Sequence, residues 1–310
     1  MRLGSANTFD KALQNIYTRQ SDLASQQEKL TSGKNINRPS DDPTGASQAE
    51  RALTRISRIA TDQRALAVQN NAITMAESAL TEALNISQSL RELVVSAGSG
   101  TFNASDRVTV AQHMQSLREQ LFNVANRKDT NNIPLFGGLG SALTPFVAAS
   151  ATPGASVSFV GVAGQTASTE TTVPGAMDGN AIWMSIPDLV TPANMTNFFK
   201  VVDDAISGIS NGGSSTAIGT TVTTALTQID AGMSRLESAR GQAGAWLNRV
   251  DNITSTQDGR TLQLTADKSR AEDLNLVTGY SEFQKMNTGY QAALQSYAQI
   301  QKLSLFNYIG

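Results

Sequence analysis

The 310-residue chain has no cysteine and a single histidine. Without thiols it can hold no disulfide, no thiolate nucleophile and no cysteine-ligated zinc. His113 alone builds no multi-histidine metal centre and leaves little stock for acid–base chemistry near neutral pH. Aromatic residues are 5 % of the chain and hydrophobic residues 40 %, which argues against one large, densely packed core and for thinner packed layers. Neither sign of charge dominates: 24 Lys and Arg stand against 26 Asp and Glu. A net charge of −2 gives no general attraction to nucleic acid or to an anionic membrane. No run of about 18 apolar residues is present, so no membrane insertion is expected. The start, Met1-Arg2-Leu3-Gly4-Ser5-Ala6-Asn7, lacks the apolar stretch of a secretory signal peptide. Taken together, these absences disfavour an enzyme, and no catalytic residue, metal ligand or cofactor is expected.

What the chain does have is an uneven distribution of charge. Between residues 130 and 234 only Glu170, Asp178, Asp188, Lys200, Asp203, Asp204 and Asp230 are charged. That middle is rich in Gly, Ser, Thr and Ala, and five of the eight prolines lie between Pro145 and Pro192. Such a composition shift suggests a domain inserted between two charged, helical ends. At about 100–200 residues per domain the length allows two or three domains.

The ends read as helix. Leu13, Ile16, Leu23 and Leu30 form a stripe of 3–4 spacing, stopped by Gly33. Asp42 followed by Pro43 reads as an N-cap with proline at the first helical position. A second helix over about 43–96 carries Ile59, Leu66, Ile73 and Leu80 at seven-residue spacing, with Ala76, Ala83 and Leu90 three positions on. Gly98-Ser99-Gly100 breaks it. A third helix starts at Ser105 or Asp106 and carries Val110, Met114, Leu117, Leu121 and Val124. Towards the C-terminus, Leu226, Ile229, Met233, Leu236, Ala243, Leu247 and Val250 keep the register across a polar gap at Arg240. A final helix carries Phe283, Met286, Tyr290, Ala293, Tyr297 and Ile300, and six aromatics fall in the last 31 residues. These stripes suit ordinary bundle core. The first and last are also narrow seams on long helices, and a two-helix pair cannot bury its outer faces alone, so intermolecular coiled-coil packing is the sharper reading. In the middle, 157–162 and 181–186 look like strands, and Phe198, Phe199, Val202, Ile206 and Ile209 suggest one amphipathic helix.

Other features have bland readings. His113 has no triad or ligand partner in sequence and reads as structural or solvent-facing. Asp41-Asp42, adjacent at a helix start, suits capping rather than a catalytic pair across a cleft. Gly137-Gly138-Leu139-Gly140 matches neither a dinucleotide fingerprint nor a P-loop and reads as a flexible boundary.

The segment Leu30-Thr31-Ser32-Gly33-Lys34-Asn35-Ile36-Asn37-Arg38-Pro39-Ser40-Asp41-Asp42-Pro43 resembles the N-terminal signature of the bacterial flagellin superfamily. It is closest to the form typical of that superfamily's hook–filament junction branch. The ending Ile300-Gln301-Lys302-Leu303-Ser304-Leu305-Phe306-Asn307-Tyr308-Ile309 is similar to the Leu-Ser-Leu-Phe-Asn-Tyr ending of the same branch. Ile133-Pro134-Leu135-Phe136-Gly137-Gly138 resembles the segment leading into the variable domain. One departure is Leu276, which stands where relatives often have Tyr.

The resemblance implies a mainly α, flagellin-like fold: long helical coiled-coil and bundle elements from both termini, with a small strand-containing domain inserted. Residues 1–42 with 268–310 would form the inner coiled-coil domain, 43–130 with 216–267 a helical rod, and 131–215 an outer variable domain. It implies a structural adaptor that joins hook-associated protein 1 to the flagellin filament. The chain would leave the cell unfolded through the flagellar type III export apparatus, with a cytoplasmic export chaperone, and act in the extracellular flagellum. Its partners would be itself, in a ring or helical layer, hook-associated protein 1 and flagellin. Inter-subunit packing is expected at Leu13, Ile16, Leu23, Leu30, Phe283, Tyr290, Tyr297, Ile300, Leu303, Leu305, Phe306 and Tyr308. The family's signature turn is expected at Ser32, Gly33, Lys34, Asn37, Pro39, Ser40, Asp41, Asp42 and Pro43. The rival readings are flagellin itself, an enzyme domain displayed on a flagellin-like frame, and an export chaperone.

Overall fold

The computed structural model describes residues 3–100, 102–149, 156–188, 195–211 and 214–309, with side chains from residue 9 to 299 and at 301. In chain order the elements are α1 (Leu3–Ser32), α2 (Pro43–Ala97), α3 (Ala104–Ala125), β1 (Phe146–Ala148), β2 (Val157–Phe159), α4 (Gly179–Trp183), β3 (Ile186–Pro187), β4 (Met195–Thr196), α5 (Phe198–Ser210), α6 (Ser215–Glu272) and α7 (Leu276–Ile309). The protein is mainly α. The chain divides into two compact units, residues 1–59 with 258–310 and residues 60–257. The division falls inside α2 and α6.

The second unit holds a continuous core. The heptad residues Leu66, Ile73, Leu80 and Leu90 of α2 are buried, as are Met114, Leu121 and Val124 of α3 and Ile229, Leu236, Ala243 and Val250 of α6. Small residues between them, Ala72, Ala76, Ala79 and Ala83, let the helices approach closely. The polar gap expected at Arg240 is absent: Ala239 takes the buried position and Arg240 faces water. The third helix begins at Ala104, one residue before the expected start. Asn103 caps it, accepting from the Asp106 N–H while the Asp106 carboxylate accepts from the Asn103 N–H. His113 is exposed on α3.

The inserted segment shares this core. β1 pairs antiparallel with β2, Phe146 opposite Phe159, and β3 with β4. Asn126, at the end of α3, accepts from the Phe146 N–H and donates to the Phe146 carbonyl, both at 3.0 Å. Trp183 stacks on Phe199 at 5.8 Å and meets Phe136 edge-on at 5.8 Å. The strand expected over 181–186 is instead α4 with two strand residues after it. The Asp178 carboxylate accepts from the N–H groups of Asn180 and Ala181 and starts a helical turn that the apolar run does not announce. Nor is Gly137–Gly140 a flexible boundary. Gly138 has φ +65° and donates its N–H to the Met177 carbonyl, and a Cβ there would lie 2.1 Å from the Val162 carbonyl oxygen. Glycine is required because two backbones cross.

Candidate assembly site

In the first unit α1 and α7 lie antiparallel. Phe9 meets Tyr297 edge-on, with ring centroids 5.8 Å apart. Further along, the Gln26 side chain donates to the Gly279 carbonyl at 2.9 Å. This direction puts Ile16 at the level of Tyr290 and Leu23 at that of Phe283. Ile16, Leu23, Leu30, Phe283, Tyr290 and Tyr297 are all half-buried, whereas Leu13 is 39 % exposed. Ile300, Leu303, Leu305, Phe306 and Tyr308 lie in helical backbone whose side chains are outside the described residues.

Little of this seam is closed. Between Phe9 and Leu30 only Gln26 is buried, and among the described residues of α7 only Gly279. Tyr17 is 63 % exposed, Tyr280 58 % and Val277 83 %. Two helices in contact cover one stripe each, and the apolar residues beyond it face water. Sequence spacing had pointed to the stripe. It gave no sign of Gln26, whose buried amide reaches a carbonyl 253 residues away.

The segment between α1 and α2 forms a corner with the end of α6. Gly33 adopts φ +71°, the left-handed conformation that ends a helix. Lys34 then bridges Asp273 antiparallel, the Glu272 carbonyl accepts from the Asn35 N–H at 2.7 Å, and the Gly33 carbonyl accepts from the Leu274 N–H at 2.9 Å. Lys34 and Lys268 each place an ammonium 3.1 Å from the Glu272 carboxylate. Burial pushes the Glu272 carboxyl up, but the two lysines outweigh it and hold its pKa below the usual value.

The two neighbouring aspartates do different work. Asp41 accepts from the N–H groups of Arg38 and Asn37 at 2.9 and 3.0 Å, which holds its carboxyl below the usual range. Asp42 accepts from the Thr44 N–H at 3.0 Å, and Pro43 is the first residue of α2. Ile36 is buried, while Ser32, Lys34, Pro39 and Ser40 are exposed and Asn37 is half-buried. The signature is therefore a rigid, hydrogen-bonded corner that fixes where α1 leaves α2. Among the described residues no group of three or more His, Asp or Glu is placed to hold a metal ion, and no helix is long and apolar enough to cross a membrane.

Residues 6–141 match the family model of the bacterial flagellin N-terminal helical region, and residues 226–309 that of the bacterial flagellin C-terminal helical region. The chain belongs to the bacterial flagellin family. Within it, the chain is 28 % identical to flagellar hook-associated protein 3 of Escherichia coli K12 over 319 residues, covering 99 % of each chain. It is 26 % identical to flagellar hook-associated protein 3 of Salmonella typhimurium LT2 over 318 residues, again 99 % of each. The crystal structure of the flagellar junction protein FlgL from Legionella pneumophila superposes with a TM-score of 0.58 at 19 % identity, covering 66 % of this chain and 99 % of that one. The fold of this flagellin-family chain is thus shared with structural components of the flagellum.

Proposed function

We propose that this chain is a structural adaptor at the junction of the flagellar hook and filament, joining hook-associated protein 1 to flagellin. The observation that carries the reading is the end-to-end match to hook-associated protein 3 in two bacteria. The half-open seam of α1 and α7 supports it, because neighbouring copies would supply the missing faces and ordering would be coupled to assembly. In this reading residues 1–42 and 268–310 form the inner tube, 43–130 with 216–267 the rod, and 131–215 project outward. The seam residues named above, with Leu303, Leu305, Phe306 and Tyr308, pack between subunits. Repeating head-to-tail contacts make a ring or helical layer rather than a closed dimer. The chain reaches the extracellular flagellum through the type III export apparatus after release from its chaperone.

Deleting residues 301–310 tests the reading. The expected product is a folded, secreted monomer, and cells that bear hooks without filaments. Normal filaments on cells carrying only the truncated chain would overturn it. Long filaments grown from the purified full chain alone would point to a flagellin subunit instead.

A further inference from the structure

The start of α7 leaves large apolar side chains in water. Val277 is 83 % exposed, more than any other large apolar residue among those described, and Leu276 is 60 % and Tyr280 58 % exposed. From Asn275 to Ser281 there is no charged residue. The turn is held in place. The Asn275 side chain accepts from the Val277 and Thr278 N–H groups at 3.1 and 3.3 Å, and the Leu274 N–H donates to the Gly33 carbonyl. Clustered apolar surface on a fixed turn marks a contact surface, since little ordering remains to be done on binding.

A groove of about 470 Å³ lies in the same unit, between the corner, the start of α2 and the end of α6. Ile36, Pro39, Pro43, Ala46, Ala49 and Leu53 give it apolar walls, and Leu53 is itself exposed. Its cations are already neutralised, Lys34 and Lys268 by Glu272 and Arg38 by Glu28 at 3.4 Å. Such a groove offers little to a charged ligand and suits an uncharged, apolar one. Glu50 on the rim is the exception, exposed and without an ion pair or hydrogen bond among the described residues. Tyr280 matches it, because its hydroxyl accepts from Gln284 at 2.9 Å and keeps its own proton to donate. No residue from 274 to 280 lines the groove of its own chain.

We infer that Leu276, Val277 and Tyr280 of one copy dock into the corner groove of a second copy, with Tyr280 donating to Glu50. The inference rests on the self-assembly proposed above and adds to it a contact outside the half-buried seam. The apolar turn and the groove are different surfaces, so the contact is heterologous and repeats from copy to copy. Both flank residues 32–43, which makes that segment a joint between copies as well as a corner within one.

Cysteine cross-linking tests this in sheared flagella and in the concentrated purified chain. The chain has no cysteine, so Leu53→Cys/Val277→Cys carries the only two thiols, and a disulfide needs their Cβ atoms within about 4.5 Å. Oxidation should link copies head to tail into a ladder, while either single substitution gives nothing beyond a dimer. A disulfide closing within one chain, or no cross-link in either preparation, would overturn the inference. Val277→Glu/Tyr280→Glu sets two carboxylates against Glu50 and should cut the chain retained in sheared flagella at least tenfold. The exported variant should stay folded, because both side chains already face water. Adding Glu50→Lys/Leu53→Lys supplies the opposite charges and should restore retention. A Val277→Glu/Tyr280→Glu chain retained like wild type, or a folded fourfold variant that is still lost, also overturns it. The chain lacking residues 301–310 carries the two cysteines in parallel. A ladder together with normal filaments from that chain sinks the terminal-helix reading and leaves this contact standing. Filaments lost on truncation, with the Val277→Glu/Tyr280→Glu chain retained, does the reverse.

Discussion

The aromatic centre of the second unit and the α1–α7 pair of the first are built from similar residues and end in opposite states. Trp183, Phe136, Phe146, Phe198 and Phe199 are each at most 1 % exposed and pack ring on ring. Phe9, Phe283, Tyr290 and Tyr297 sit in a seam where they are only half-buried. The difference is one of geometry. Helices α3, α5 and α6 and the inserted strands surround the first group from all sides, while two antiparallel helices offer each ring one flank. A half-closed apolar seam contributes about half of what burial can give, at roughly 25 cal/mol per Å². One region is a finished core, and the other keeps apolar surface available for a neighbour.

Truncating one ring from each region breaks that comparison most sharply. Trp183→Ala should cost about 3–5 kcal/mol, since it empties a fully buried site. Thermal unfolding followed by near-ultraviolet dichroism would record it. Tyr290→Ala should cost the isolated chain less than about 1.5 kcal/mol, because its ring is only partly covered. Its larger consequence should be loss of assembly. Equal destabilisation by the two changes would show that the seam is as closed as the core.

The buried pair Arg118–Asp203 gives the next largest effect. The guanidinium makes two bonds to the carboxylate, at 2.9 and 3.0 Å, and lies 5.8 Å from the Phe122 and Phe199 centroids. Both side chains are under 10 % exposed. Burial pushes the Asp203 carboxyl up, with Arg118 opposing it. Arg118→Leu leaves that carboxylate alone in the core and should cost about 3–5 kcal/mol at pH 7. Removing the arginine raises the folded-state pKa further above its unfolded value. The stability of the variant is then lost as pH rises through the folded pKa and regained as pH falls below it. Urea melts at pH 7 and pH 5 should show the deficit shrinking on acidification. A deficit that grows would mean the carboxylate is not the group left stranded.

The helical frame was legible because its burial repeats. Leu66, Ile73, Leu80 and Leu90 recur with the helix period and are buried where that period puts them. The stripe 198–209 likewise became α5. Residues that depend on distant partners left no such trace. Leu117 was expected in the core and is half-buried, while its neighbour Arg118 is buried against a carboxylate 85 residues away. Apolar composition over 181–186 suggests a strand, yet one capping carboxylate at Asp178 settles that stretch as a helical turn. The signature 32–43 was visible as a motif, but its antiparallel contact with Glu272–Leu274 was not. Local pattern carries the elements, and contacts across the sequence carry the site.

Smaller effects separate the corner from the seam it positions. Gly33→Val forces a β-branched residue into φ +71° and should cost about 1–2 kcal/mol, more than Gly33→Ala. The altered exit of α1 should slow hydrogen exchange nowhere and speed it at Asn35 and Leu274, whose N–H groups close the corner.

Acidification should produce the smallest effect and locate it at the same place. Asp41 and Glu272 both have folded pKa values below their ordinary ones. Each therefore contributes stability that is present above its unfolded value and is lost as pH falls through its folded value. Asp203 is shifted the other way. Lowering the pH from about 6 to about 3, across the usual carboxylate range, should release the N–H groups of Asn37 and Arg38, because the protonated Asp41 is a weaker acceptor. Protection of those two amides, taken relative to the unprotected exchange rate at each pH, should fall before protection at the core helix residues Leu80 and Ile229. If the core amides lose protection first, the aromatic unit rather than the corner is the weaker region in acid, and the contrast between closed core and open seam does not extend to charge.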